Sequence, residues 1–476
     1  MNDRILKNIS NNKNKMIKKI FKFMVLLFVI IIIIKFKMEL KQNIYWINED
    51  YLIIQKNLNL SFPNNIKHKI RIGIFCKSLK NGGIERLVTI LMCFIFMDLI
   101  YPQMIKIFEL YLYTLLKENN EYIIPDDVPR KIIDGDILDL IKAIKKNKID
   151  ILIYNSYNCH EINILNAIKE FKIIYYNHSC LFFWIYAHSF EFFSMLYKAY
   201  KNSKYIISLI PFENDYLFQK WGINSILMNN FITYNYNEAN PSNLSSKIIL
   251  MIGRGEDKYK RFDLGIRSMK YIVKKIPECK MKLISNKDGL DNIVNITTNL
   301  QLQNNIEFEG YIRKPELYFT NASLHIFPSI CEAFPMVLAE TKIFGIPNIV
   351  LGLDYLTIVK GGTIIIYDDE PYSIAREAIK IINNKEYRIK LGKEARESIK
   401  NFNNNITFNK WIKLLLSIFN GDNYYQSMRK QDIKIDKEIA LNLIETQIKL
   451  LQNREFNYYN ISLNDIENIT FLDKFK

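Results

Sequence analysis

The stretch LHIFPSICEAFPMVLAETKIFGIPNIV, residues 324–350, contains in immediate succession the signals of a strand, a loop, a helix and a further strand. LHIFPS is typical of a buried strand, and ICEAF is typical of a loop. The segment PMVLAETKIFG predicts a helix that has Pro335 at or near its first turn and ends at Gly345. Near-continuous apolar strands that alternate with helices indicate a parallel sheet covered on both faces. The stretch therefore predicts an α/β fold.

Two acidic residues lie in this apolar stretch, Glu332 just before the predicted helix and Glu340 inside it. At about 100° per residue, a helical spacing of eight offsets two side chains by about 80°, so the two acids do not share a helix face. This geometry favours two contacts along one extended ligand over an acid/base couple that acts on one atom. The helix N-terminus adds free N–H groups and a positive dipole end, which favour a phosphate. The alternative is an acid at the helix start and a solvated carboxylate.

The same alternation of strands and helices runs through most of the chain. A polar, turn-rich segment divides it into two series and is typical of an interdomain linker. Two doubly wound halves leave a cleft at the carboxyl ends of their strands, where such folds bind ligands. The sequence thus predicts two Rossmann-like domains that face each other across a cleft, preceded by an N-terminal membrane-anchor helix. The predicted segments are an anchor region at 1–40, a stalk at 41–68, a first domain at 69–231, a linker at 232–246, a second domain at 247–415 and a helical tail at 416–476.

Composition narrows the class of protein. Of the 476 residues 49% are apolar and 24% are charged, which suffices for two large cores. The formal net charge of +16 raises the question of nucleic-acid binding. However, the lysines are spread along the chain without an arginine-rich tract, so we expect no nucleic-acid partner. The six cysteines lack paired spacing and the five histidines are isolated, so the sequence predicts no metal site.

The N-terminal region predicts attachment to a membrane. Residues 23–34, FMVLLFVIIIII, form an uncharged aliphatic run that is shorter than the ~20 residues needed to span a bilayer. Flanking lysines that reach the headgroups lengthen the usable helix to roughly residues 17–40. No small-x-small cleavage site follows, which favours a single-pass signal anchor over a cleaved signal peptide. A second apolar stretch, residues 87–105, is interpreted as a buried helix with an unusual extension; the alternative is a segment that contacts a membrane.

Two loops that follow predicted strands have the chemistry of phosphate sites. Gly82 and Gly83 stand between a strand and a helix start, where exposed backbone N–H groups permit close approach of a phosphate or sugar. The alternative is a simple turn, because a lone Gly-Gly is a weak signal. It is not a dinucleotide-binding fingerprint, since GxGxxG is absent. Arg254 follows the strand KIILMIG, and Lys260 and Arg261 precede a helix; together these three cations are able to neutralise a diphosphate. The alternative is a solvated basic turn.

Two further polar features need separate interpretations. His178 closes the strand FKIIYYNH and is predicted to point into the cleft, where it can hydrogen-bond a sugar hydroxyl or phosphate. A lone histidine is more often a satisfied structural residue. Asp134 and Asp136 form an Asp-x-Asp triplet of the kind that binds metals, but here a turn before the helix ILDLIKAIKK is favoured.

Together these pieces resemble retaining glycosyltransferase family 4 (glycosyl transferases group 1), which has the GT-B fold. GRGEDKYKRFDLGI, FEGYI, LHIFPSICEAFPMVLAE and GIPNIV are similar in order and spacing to its C-terminal domain. NGGIERLV is similar to its N-terminal glycine loop, and YYNHS to its cleft histidine strand. The resemblance covers roughly residues 69–415. The sequence departs from the family pattern next to Glu332. The family commonly has Glu-Gly-Phe, whereas this sequence has Glu-Ala-Phe, so Ala333 adds a methyl group.

The resemblance implies transfer of a hexose from a UDP- or GDP-linked sugar, with retention at the anomeric carbon, to a glycan or glycolipid acceptor at a membrane. It implies no metal or other cofactor. It also implies roles for individual side chains. Arg254 and Lys260 would bind the diphosphate, Glu332 and His178 would contact the transferred sugar, and Glu340 would contact the ribose of the nucleotide. The implied catalytic residues are Glu332, Arg254, Lys260 and His178, and the implied donor-binding residues are Glu340, Gly82, Gly83, Ala333, Phe334 and Gly253.

Two other interpretations stay open. A catalytically silent GT-B protein would bind a nucleotide sugar or act as a scaffold. A nucleotide-sugar epimerase or other Rossmann enzyme would need a nicotinamide and a GxGxxG loop, which this sequence lacks. The sequence leaves open on which side of the membrane the large domains lie. The basic N-terminus is predicted to stay in the cytosol, which puts the large domains on the opposite side of the membrane, whereas many family members work on the cytosolic face.

Overall fold

The computed structural model describes most of the chain between residues 68 and 421, and all of these residues belong to one unit, Asn59–Lys476. The described residues are 68–80, 83–96, 107–119, 121–183, 190–214, 217, 222–255, 257–286, 290–312 and 315–421. The predicted anchor at 1–40, the stalk up to residue 67, Gly82 and most of the predicted tail lie outside them. Among the described residues, no helix has the length and apolar character required to cross a membrane.

The first series of aliphatic runs forms a parallel sheet. Its strand order is β3-β2-β1-β4-β5-β6-β7, so β1 lies between the two halves of the sheet. The strands are β1 Ile70–Cys76, β2 Phe108–Thr114, β3 Arg130–Ile132, β4 Ile151–Tyr154, β5 Lys172–Tyr176, β6 Tyr205–Ser208 and β7 Ile226–Leu227. The described helices that accompany them are α1 Gly83–Phe96, α2 Ile137–Lys146, α3 Cys159–Asn166 and α4 Phe190–Lys201.

The second series forms a parallel sheet of the same type, in the order β10-β9-β8-β11-β12-β13. Its strands are β8 Ile248–Ile252, β9 Lys280–Ile284, β10 Ile306–Gly310, β11 Leu324–Phe327, β12 Asn348–Leu351 and β13 Thr363–Ile366. The helices are α5 Phe262–Lys275, α6 Asp291–Asn299, α7 Glu316–Asn321, α8 Met336–Ile343, α9 Pro371–Asn383, α10 Lys385–Ser398 and α11 Asn404–Asn420. The prediction of two Rossmann-like parallel-sheet domains is confirmed.

The stretch at 324–350 folds as β11, a loop, α8 and β12. Pro335 is the N-cap of α8, and Gly345 follows the helix with a φ of 67°. That left-handed conformation favours glycine, because other residues incur a steric penalty from their Cβ atom. Four consecutive buried residues in each of the two strands show that both faces of the sheet are covered here.

Helix α11 joins the end of the described chain to the first domain. The Lys172 ammonium on β5 donates to the carbonyl oxygens of Ile418 at 2.6 Å and Phe419 at 2.8 Å. The fully buried Trp411 ring contacts the Tyr176 ring, with 5.4 Å between centroids. The boundary predicted between residues 415 and 416 lies inside this helix, because the helix continues until its apolar face is covered by the first domain.

Three smaller sequence interpretations can also be compared with the structure. Asp136 is the N-cap of α2 and accepts a hydrogen bond from the Leu138 N–H at 2.9 Å, so the Asp-x-Asp triplet is a turn and cap as predicted. The six cysteines are all buried thiols without disulfides. The apolar stretch at 87–105 is helical and largely buried through Cys93, α1 continues to Phe96, and residues 97–106 lie outside the described part.

Candidate active site

The carboxyl ends of the two sheets face each other. The loop after β5 contacts the second domain through a Phe183–Tyr259 ring pair, with centroids 5.6 Å apart. The first turn of α1 lies near the loop after β8: burial raises the pKa of the Glu85 carboxyl, while the positive charge of Arg254 acts to lower it. In both sheets the strand order reverses beside a central strand, β1 or β8, and such a switch point is where α/β sheets bind ligands.

At the second switch point the structure brings together two predicted site residues that are far apart in sequence. The Lys260 ammonium, at the end of a 3₁₀ turn after β8, lies 2.5 Å from Oε1 of Glu332 in the loop after β11. The Ser329 hydroxyl donates to the same oxygen at 2.6 Å. The side chains of Lys260 and Glu332 are only 15% and 12% exposed. One cation and one carboxylate are therefore fixed side by side at the edge of the cleft.

Arg254 lies at the same edge but reaches further into solvent. Its side chain is 53% exposed and pairs with Asp257 at 2.9 Å. Its Nη2 also donates to the Tyr259 hydroxyl at 3.1 Å. Both contacts lie within the same loop, so the guanidinium is oriented locally while staying accessible from the cleft. This accessibility suits a side chain that grips an incoming diphosphate.

His178 lies two residues beyond β5, as its place in the sequence predicts. Its Nε2 is 2.8 Å from Oδ1 of Asn155, which follows β4. The ring packs against Tyr176, with 4.0 Å between centroids. Although part of the residue reaches solvent, the desolvation of its ring lowers the pKa of His178 to about 3. The imidazole is therefore neutral, and since Asn155 Oδ1 accepts the Nε2 proton, Nδ1 is left as an acceptor.

Glu340 lies in a different setting from Glu332. It is 1% exposed, and its Oε1 accepts from the Thr233 hydroxyl at 2.7 Å. The same oxygen forms an ion pair with Arg86 of α1, which belongs to the first domain. The carboxylate thus joins α8, the linker and the first domain. Its role as a ribose contact stays a prediction, and a ribose would compete with Arg86 for this oxygen.

The remaining predicted donor-binding residues surround these groups. Gly83 begins α1, whereas Gly82 is outside the described residues. Gly253 directly follows β8 and donates its N–H to the Ile284 carbonyl at 3.1 Å. Ala333 and Phe334 are 7% and 8% exposed in the loop that holds Glu332. The Phe334 ring packs against the Phe402 ring. Because Ala333 is also buried, its methyl group lies within this packed loop.

Sequence reasoning missed three residues that organise the site. Arg86 pairs with Glu340, and Tyr355 contacts the loop of Glu332. Glu213, after β6, accepts hydrogen bonds from the Leu181 N–H and the Asn177 side chain, both at 3.2 Å, and these two residues stand on either side of His178 in the sequence. Arg86 lies in the first turn of a helix, where the helix dipole disfavours a positive charge. This unfavourable position is a sequence signal that the arginine has an acidic partner. The local sequences around Tyr355 and Glu213 gave no comparable signal.

The buried Glu213 yields a prediction on pH dependence. Burial raises the pKa of Glu213 to about 8, since it is 2% exposed. Between pH 5 and 8 the folded protein keeps this proton while the unfolded chain loses it, so wild-type stability falls as pH rises. We expect the free energy of unfolding of Glu213→Gln, minus that of wild type, to rise by about 1.4 kcal/mol per pH unit over this range. Urea unfolding at each pH measures it, and a flat difference would show an ionised Glu213.

The second domain is similar in sequence to a family of known proteins. Residues 234–398 match the profile of the family described as glycosyl transferases group 1. An uncharacterized glycosyltransferase of Haemophilus influenzae is 26% identical over 155 residues, which is 32% of this chain and 42% of that protein. The chain thus matches less than half the length of this curated relative.

Two solved structures show the same fold. Sucrose-phosphate synthase from Thermosynechococcus elongatus superposes with a TM-score of 0.62 at 16% identity, over 74% of this chain and 100% of that one. HepE of Anabaena, solved in complex with UDP and glucose, superposes with a TM-score of 0.58 at 14% identity, over 73% of this chain and 99% of that one. Residues 234–398 of the second domain are thus similar in sequence to the glycosyl transferases group 1 family, and the two domains together share the GT-B fold of these solved structures.

Proposed function

We propose that this protein is a retaining glycosyltransferase that moves a hexose from a UDP- or GDP-linked sugar to a glycan or glycolipid acceptor at a membrane. The observation that supports it best is the contact between Lys260 and Glu332 at the switch point of the second sheet. A diphosphate needs cations and a sugar needs hydrogen-bond acceptors, and here the two are adjacent. The neutral His178 on the facing loop supplies a further acceptor for a sugar hydroxyl.

The proposed mechanism uses these groups to stabilise the departing nucleotide. Lys260 and Arg254 hold the diphosphate, and their charges offset the negative charge that develops as the bond from the anomeric carbon to the phosphate oxygen breaks. The N-terminus of α8 adds its dipole. The acceptor hydroxyl forms the new bond on the same face of the sugar, and its proton passes to the departing phosphate oxygen. No metal is required, because the side-chain cations supply the positive charge.

Two features support a membrane-bound acceptor. The seven basic residues that precede the aliphatic run at 23–34 suit an anionic membrane surface. The formal net charge of +16 also attracts the protein to an anionic membrane surface. We propose a single-pass membrane location on these grounds, with the N-terminal run as the anchor.

A donor panel tests the proposed function. Full-length protein in detergent is incubated with UDP-glucose, UDP-galactose, UDP-N-acetylglucosamine or GDP-mannose, and nucleotide release is measured. We expect one donor to turn over and Glu332→Ala and Arg254→Ala each to reduce turnover about 100-fold or more. Glu278→Ala, which removes an exposed acid paired with Lys247, is the matched control and should behave as wild type.

The outcomes separate the proposed function from its alternatives. Binding of a nucleotide sugar without turnover by wild-type protein would favour a catalytically silent binding protein. A requirement for nicotinamide would favour an epimerase. If transfer occurs, the anomeric proton coupling in the NMR spectrum of the product decides whether the configuration is retained.

A further inference from the structure

The hydroxyl group of Tyr355 holds the backbone of Glu332. It accepts a hydrogen bond from the Glu332 N–H at 2.9 Å and donates one to the Glu332 carbonyl oxygen, also at 2.9 Å. Tyr355 follows β12 and is 4% exposed, so water does not compete for these bonds. With both backbone groups held, the carboxylate is placed by its remaining contacts with Lys260 and Ser329.

The ring of Tyr355 is held by the other domain. It packs edge-on against Phe182 and Phe212, with centroid distances of 5.0 and 5.5 Å. The Sγ atom of Cys180 lies 4.0 Å from its hydroxyl oxygen. Phe182 and Cys180 belong to the short segment that directly follows His178. Tyr355 therefore touches the loop of His178 with its ring and the loop of Glu332 with its hydroxyl.

We propose that Tyr355 is a positioning residue of the transfer reaction, which fixes the loop of Glu332 relative to the loop of His178. This inference rests on the proposed function, because the two loops carry the side chains assigned to the sugar. Displacement of either loop by an ångström is enough to misplace a sugar contact, and misplacement of this size costs up to about 100-fold in rate. Tyr355 acts through Glu332 and needs no contact with the donor itself.

The first variant is Tyr355→Phe, which removes the hydroxyl and keeps the ring. With the donor identified by the panel, we expect kcat/KM to fall about tenfold, through a higher KM for the donor as well as a lower kcat. In a Glu332→Gln background the same substitution should change kcat/KM by less than about threefold, since it acts through Glu332. Tyr175→Phe is the matched control: that buried hydroxyl donates to Asn166 at 2.9 Å, away from the cleft, and its loss should leave kcat/KM unchanged.

A binding measurement adds a readout independent of turnover. Calorimetry compares the affinities for UDP-glucose and UDP, or GDP-mannose and GDP, whichever pair the wild type binds. We expect Tyr355→Phe to bind the free nucleotide like wild type but to lose most of the extra affinity contributed by the sugar. Phe212→Leu, which loosens the ring contact and leaves the hydroxyl in place, should show the same selective loss.

The possible failures are distinct. Additive effects of Tyr355→Phe and Glu332→Gln, or wild-type kcat/KM in Tyr355→Phe, would overturn the positioning role while leaving the proposed function intact. Equal loss of affinity for nucleotide and nucleotide sugar would show that Tyr355 is merely structural. A wild-type protein that neither binds nor turns over any donor would overturn the proposed function itself.

Discussion

Lys260→Met is expected to reduce sugar transfer about 100- to 1000-fold, the range seen when one group that stabilises transition-state charge is removed. Lys260 is the better enclosed of the two cations assigned to the diphosphate, with a side chain 15% exposed against 53% for Arg254. A charge in a partly water-excluded site acts more strongly than one in solvent. Its loss also leaves the Glu332 carboxylate without its cation, beside the negative diphosphate. The measurement is single-turnover transfer with the donor that the panel identifies.

The control for this variant is Lys282→Met. Lys282 on β9 also forms ion pairs with two carboxylates, Glu307 and Glu309 on the edge strand β10, and its side chain is 24% exposed. Loss of this lysine removes a comparable buried charge at a place without donor contacts, so the transfer rate should stay near that of wild type. Equal losses in Lys260→Met and Lys282→Met would show that the effect comes from the fold and would contradict the assigned role.

Arg86→Met is expected to lower the free energy of unfolding by about 3–5 kcal/mol, the cost of leaving one partner of a buried ion pair uncompensated. Glu340 is 1% exposed and accepts a further hydrogen bond from the Thr233 hydroxyl, so its carboxylate cannot recover hydration when Arg86 is lost. The double variant Arg86→Met/Glu340→Gln removes both charges and should recover most of the stability. Denaturant unfolding with linear extrapolation measures each difference.

An exposed pair provides the control. The ion pair between Lys145 and Glu170 has side chains 50% and 61% exposed, so Lys145→Met should cause no measurable change in stability. A double variant that is no more stable than Arg86→Met would show that the ion pair itself is not the source of the loss. Because this pair connects the two domains, we also expect separate unfolding transitions of the domains in Arg86→Met, visible as a lower denaturant slope.

Much of the fold could be predicted from local sequence. The runs KIRIGIFC and KIILMIG became the central strands β1 and β8, and Pro335 and Gly345 bound α8 as predicted. These features depend on neighbouring residues, namely β-branched content and backbone preferences at the helix ends. The resemblance assigns Lys260 and Glu332 to one nucleotide-sugar donor, and the neighbouring parallel strands β8 and β11 bring these two residues together at one edge of the sheet.

The partners of individual polar groups could not be predicted in the same way. Glu340 is predicted to contact a ligand, and in the structure it also pairs with Arg86 across the domain boundary, 254 residues away in sequence. Lys342 on the same helix is fully buried and donates to the carbonyls of Lys360 and Gly361 at 2.7 and 2.8 Å. In the sequence both residues are ordinary charged positions on a helix. Only the packing of α8 between the first domain and the loop after β12 removes them from solvent.

The sequence by itself determined the two parallel-sheet domains and the loops that hold the candidate site, because strand, helix and turn signals act over a few residues. The tertiary structure decided how the two domains fit together: Arg86 with Glu340, Glu213 beneath the loop of His178, and Tyr355 between the loops of His178 and Glu332. The physical reason is that these contacts join segments far apart in the chain. Desolvation and hydrogen-bond geometry select such partners according to the folded arrangement of both sheets, which no short segment contains.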